Sequence, residues 1–168
     1  MTPLQRRIKW KASLTIVGWL VFILYVLYST YLLFFGFYRS YGLSEGYYPV
    51  NLVPFTTIME YVVHIADYPV YVWFNNLVGN ILLFVPLGAL LPLLVRSCRR
   101  WGRMMLISFL MTLFIEVMQY MLLVGTLDVD DMLLNVCGGM IGYGCYKLVR
   151  MLLISLSRVG PQQAPPLP

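Results

Sequence analysis

The chain has 168 residues, of which 60% are hydrophobic, 15% aromatic and 11% charged. A soluble domain carries about 25% charged residues, so this composition excludes a disordered chain and argues against a soluble globule. Three cysteines are too few for a disulfide framework, and the formal charge of +5 takes its meaning from where the charges sit.

Arg6, Arg7, Lys9 and Lys11 give the chain a basic N-terminal stretch over 1–11. Ala12 to Tyr38 then holds no charged residue. Roughly 20 apolar residues cross about 30 Å of hydrocarbon, so a first membrane span is predicted. The opening resembles a signal peptide, but the apolar run is too long and no small-x-small cleavage site ends it. It reads as a retained anchor. Tyr38 to Tyr48 is rich in Gly and Tyr and reads as an outer loop with interfacial aromatics.

Phe55, Ile58, Met59, Val62, Val63 and Ala66 recur at helical spacing. They predict a short amphipathic helix, about 57–66, on the outer leaflet. Thr57-Ile58-Met59-Glu60 fits a capping box. Glu60, His64 and Asp67 share another face. His64 is the only histidine, so a solvated face is expected there rather than a zinc site.

Tyr68 to Val95 is a second uncharged run, with kinks expected at Pro86 and Pro92. The basic turn Arg96 to Arg103 is short, which predicts that the second and third spans are antiparallel neighbours. A third span runs from about Met104 to Val124 and is broken only by Glu116. A fourth starts near Asp131 and ends near Ile154, with Lys147 and Arg150 able to snorkel to the interface. Gly138 and Gly142 form a GxxxG pair on it, and Gly79 and Gly88 offer similar close packing on the second span. Cys137 and Cys145 share one helix and cannot pair, and Cys98 falls in the basic turn. The Pro- and Gln-rich end, Gly160 to Pro168, reads as disordered.

The predicted fold is therefore all-α: a polytopic integral membrane bundle of four transmembrane helices plus a short amphipathic helix on the outer face. Residues 12–155 form the membrane domain, 1–11 a cytoplasmic basic N-terminus and 156–168 a disordered cytoplasmic tail. Basic residues collect before the first span, in Arg96 to Arg103, and at Lys147, Arg150 and Arg158, with Arg39 alone on the other side. Positive residues are retained in the cytoplasm, so both termini are expected inside, with the loops at 38–76 and 125–131 outside. Six of the seven acids, Glu45, Glu60, Asp67, Asp128, Asp130 and Asp131, fall in those outer loops. The basic charge thus reports orientation, with anionic lipid as a secondary partner, and nucleic-acid binding is not expected.

The seventh acid is Glu116. A carboxylate inside a span costs a few kcal/mol, so it should face protein or water. Ser108, Thr112, Glu116 and Gln119 form one polar stripe at i, i+4, i+8 and i+11. Asn76 and Asn80 lie one turn apart on the second span, Asp131 and Asn135 one turn apart on the fourth. Asn80, Glu116, Gln119, Asp131 and Asn135 are expected to meet beneath the outer surface, with Asp128 and Asp130 rimming the opening. Three readings stand open: polar glue between helices, a ligand pocket, or a catalytic or metal site. In the catalytic reading Glu116 is the acid/base. In the metal reading Asp128, Asp130 and Asp131 supply oxygen ligands suited to Mg²⁺ or Ca²⁺, although the spacing does not match an EF-hand. The competing explanation of those acids is that Asp130 or Asp131 caps the fourth helix. No cofactor is otherwise called for.

Asn51-Leu52-Val53-Pro54-Phe55, Asn76-x-x-Gly79-Asn80 and Phe84-Val85-Pro86-Leu87-Gly88 form a recognisable series. Ser108, Glu116-x-x-Gln119 and Asp128-x-Asp130-Asp131-x-x-x-Asn135-x-x-Gly138-Gly139 continue it. Over about 51–143 the series resembles the VanZ-like family of bacterial membrane proteins, with no departure in the core motif. The family is named for a protein conferring low-level teicoplanin resistance. The resemblance implies a place in the bacterial cell membrane and a role in glycopeptide or lipoglycopeptide tolerance; it supplies no reaction. The leading expectation is an outward pocket for an amphiphile, lined by Asn51, Asn76, Asn80, Glu116, Gln119, Asp128, Asp130, Asp131 and Asn135. Its ligand would be a membrane lipid, a lipid-linked cell-wall precursor or a lipoglycopeptide. The alternatives are an enzyme acting on an envelope lipid and a partner subunit of another membrane protein, a homo-oligomer included.

Overall fold

A computed structural model describes residues 3–36 and 50–158. The expected aromatic loop at Tyr38 to Tyr48, with Arg39 and Glu45, and the tail Gly160 to Pro168 lie outside the described residues. Among the described residues helices dominate, joined by turns and two short strands: α1 Pro3–Phe35, β1 Val50–Asn51, α2 Thr56–Val63, α3 Val70–Trp73, α4 Asn80–Leu94, α5 Trp101–Met121, β2 Leu127–Asp128 and α6 Val129–Arg158. Four stretches are long and apolar enough to cross a membrane: Ala12–Phe35, Val70–Leu94, Trp101–Met121 and Val129–Leu156. Even the shortest, 21 residues, extends about 31 Å at 1.5 Å per residue. The protein is an all-α polytopic membrane protein. The fourth helix runs to Arg158, so the tail expected from 156 begins inside it.

The second span is continuous from α3 to α4 through a π-helical stretch, Phe74–Gly79. Its irregularity sits there, and α4 continues through Pro86 and Pro92, where kinks were expected. The asparagines explain the shift. The Asn76 side-chain amide donates to the Val72 carbonyl at 2.8 Å and that of Asn80 to the Asn76 carbonyl at 2.9 Å. Both compete with the regular backbone ladder at i−4.

The closest packing is between α4 and α6, not between the second and third spans. The two helices run parallel: Gly138 meets Ile81, and Gly142 meets Val85 and Ala89. A Cβ at Gly88 would collide with the Gly139 carbonyl, and one at Gly139 with Ser108 Oγ of α5. Small residues thus bring the backbones together, and the GxxxG pair is consumed inside the bundle. Gly144 faces open space and Gly79 has ordinary contacts only.

The helix α5 lies on α6, and α1 packs more lightly through Phe22, Tyr25 and Leu33. Tyr25 donates its hydroxyl to the Leu83 carbonyl at 2.7 Å. Phe84, Leu87, Met104, Ile115, Tyr143 and Tyr146 form the centre of the core. Cys98 is buried with them, because the basic turn folds as a 3-10 segment, Arg96–Arg99, under the helix ends. The bundle has one basic end at this turn and one acidic end at β1, α2 and β2.

Candidate functional site

At the acidic end, β1 and β2 pair in parallel, Val50 with Leu127 and Asn51 with Asp128. This bridge carries Asp128 into the centre of a network. One Asp128 oxygen accepts the Asp130 backbone N–H at 2.8 Å and the Asn51 amide at 3.0 Å. The other accepts the Thr57 hydroxyl at 2.6 Å. The Asp128 backbone N–H in turn donates to Glu116 at 3.1 Å. Asn51 also donates to Thr57 at 3.0 Å and accepts the Val53 N–H at 3.1 Å.

Asp128 therefore occupies the capping position of α6, which was expected of Asp130 or Asp131. Asp130 instead caps α2. Its two oxygens accept the backbone N–H groups of Phe55 at 2.5 Å and Ile58 at 3.1 Å. The expected capping box at Thr57 to Glu60 does not form: the residue before α2 is Phe55, in the left-handed region at φ 69° and without a side-chain cap. Such a backbone costs about 1–2 kcal/mol, and the Asp130 carboxylate holds it in place. Thr57 is turned onto Asp128, while Glu60 accepts the Tyr68 hydroxyl at 2.9 Å. The helix is shorter than expected, ending at Val63. His64 lies in contact with Asp67 at 3.3 Å on a solvated face.

The nine nominated residues divide into groups. Asn51, Glu116, Asp128 and Asp130 belong to the network around Asp128. Asn80 donates to Asp131 at 2.6 Å, joining the second and fourth spans. Asn135 donates to Thr112 at 2.8 Å, and Gln119 reaches the Leu33 carbonyl of α1 at 2.9 Å. Asn76 bonds back to its own helix. Glu116, Gln119, Asp130 and Asn135 are at most 1% exposed, and Asn80 and Asp128 are nearly as buried. Asn51, Asn76 and Asp131 are half-buried and form the accessible edge. Three buried oxygens, Gln119 Oε1, Asn135 Oδ1 and Ser108 Oγ, have no hydrogen-bond partner among the described residues.

Acceptors dominate this end. No lysine or arginine among the described residues pairs with Asp128 or Asp130; backbone N–H groups and hydroxyls stabilise them, with the positive end of the α6 dipole. The negative surroundings reach the half-buried Tyr61, whose phenol is pushed above its ordinary 10.0 by burial first and then by Tyr68, Asp131, Asp128 and Glu60. The Tyr68 phenol is raised too, chiefly by its bond to Glu60. For a metal the fit is poor. Asp128 and Asp130 turn to the start of α2 and Asp131 to Asn80, and among the described residues no group of three His, Cys, Asp or Glu side chains forms a cage.

Sequence reasoning missed Thr57 and Tyr61 as parts of this end. Thr57 carried a local signal for a different role, and Tyr61 carried none. Compared with known proteins, the chain matches the family model described as VanZ/LLP1 over residues 22–150. No curated protein and no solved structure matches it.

Proposed function

The chain belongs to the VanZ/LLP1 family, and from that premise we propose that it is a non-catalytic cell-envelope protein that binds an amphiphile at its acidic end. That end faces outward in this reading, which the collection of Lys and Arg at the other end supports. Both termini are then cytoplasmic. The ligand is a lipid-linked wall precursor or a lipoglycopeptide, and holding it contributes to glycopeptide tolerance, teicoplanin included.

The observation that carries the reading is the half-buried Asp131, bonded to Asn80 at the edge of a buried array of acceptors. A ligand group bearing N–H or O–H donors, or a positive charge, complements such an edge. Burial of Glu116, Asp128 and Asp130 holds the array rigid, which lowers the ordering cost of binding. Catalysis by Glu116 has less support, since its carboxylate accepts the Asp128 N–H behind the bridge and is 1% exposed. The partner-subunit reading loses its motif, because GxxxG is spent on α4.

The test is teicoplanin susceptibility of cells expressing the protein. Glu116→Gln and Asn80→Ala should each abolish the tolerance at unchanged membrane level. Two variants that behave like wild type refute the reading.

A further inference from the structure

A second feature lies at the opposite end of the bundle. Beyond the close approach at Gly142, α4 and α6 leave a groove of about 340 Å³ between them. Ala89 and Leu93 form one wall, Val149 and Leu153 the other, and Arg99 and Arg150 line it as well. Among the described residues no carboxylate lines it. The Arg99 Nε donates to the Pro92 carbonyl at 2.9 Å. This fixes the guanidinium at the groove and leaves further donors for an anion. Tyr146, one turn before Arg150 on the same face, also lines the groove; the residue is 5% exposed and its hydroxyl has no partner among the described residues.

We propose that this groove is a binding site for an anionic phospholipid, with the phosphate between Arg99 and Arg150 and an acyl chain along the apolar walls. Charge complementarity selects the occupant. A basic pocket between spanning helices suits an anionic headgroup, whereas a zwitterionic lipid brings a cation that the two arginines repel. On the positive-inside rule this lipid belongs to the cytoplasmic leaflet, so the site is separate from the acidic end. It also gives a part to Arg150, which otherwise reads only as an interfacial charge.

The full-length protein, purified in detergent, is offered equal amounts of phosphatidylglycerol and phosphatidylcholine and inspected by native mass spectrometry. One phosphatidylglycerol should stay bound, at least five-fold over phosphatidylcholine. Arg150 is exposed, so Arg150→Gln should keep the melting temperature yet lose the preference, and Arg150→Lys should retain it. Cys145 lines the groove and Cys137 does not, and both are exposed free thiols. Phosphatidylglycerol should therefore slow N-ethylmaleimide alkylation of Cys145 several-fold in the unmodified protein, with Cys137 unaffected. Equal retention of the two lipids, a preference that survives Arg150→Gln, or unprotected Cys145 overturns the proposal.

Discussion

Asp130 sits at the start of one helix and caps another. Its carboxylate takes two N–H groups at the head of α2, and a lost cap costs about 1 kcal/mol. Asp130→Ala should therefore free α2 without unfolding the bundle. In hydrogen exchange, amides 55–63 should exchange faster while 80–94 keep their protection; unchanged exchange at 55–63 would show that the cap contributes nothing. The elevated Tyr61 phenol makes a second prediction. Because the folded protein holds the proton more tightly than the unfolded chain, this group's contribution is full below its ordinary pKa of 10.0. The contribution is lost as pH rises through the raised value. Thermal melting above pH 10 should fall more steeply in wild type than in Tyr61→Phe. At this scale little was legible in the sequence. Thr57 and Glu60 have capping-box spacing, yet the true cap comes from 72 residues away, and no local pattern encodes a partner so distant.

Elements were far more legible, because long uncharged runs leave the chain few alternatives in water or in lipid. The polar stripe of α5 was readable by periodicity alone: Ser108, Thr112, Glu116 and Gln119 are all buried on one side of it. The pairing of helices was not. A short connection says which spans follow one another, whereas Gly88, Gly138 and Gly142 decide that α4 lies against α6. Gly88→Val should force these backbones apart and cost about 1–3 kcal/mol or more, read as a lower melting temperature in detergent. Gly144→Ala, with nothing within 4 Å, should melt like wild type. A Gly88→Val protein of undiminished stability would contradict the packing. The π-helical stretch also escaped the pattern, since Asn76 and Asn80 disturb the ladder through their side chains rather than through any proline.

Across the whole molecule, two ends of opposite character follow from a single separation of charge. Acids gather at α2, β2 and the head of α6, and arginines gather at the 3-10 turn. The proposed orientation puts His64 outside and Ser97 inside. In intact cells a membrane-impermeant thiol reagent should therefore label His64→Cys and spare Ser97→Cys; the reverse would invert the topology and place the acceptor array in the cytoplasm. Binding of an amphiphile by this array can be measured directly. The decisive measurement is equilibrium binding of fluorescent teicoplanin and of a fluorescent lipid-linked wall precursor to the protein in nanodiscs. Saturable binding of at least one of them to wild type, weakened ten-fold or more by Asp131→Asn, is the predicted result. Non-saturable uptake of both, or equal affinity in the variant, would contradict it.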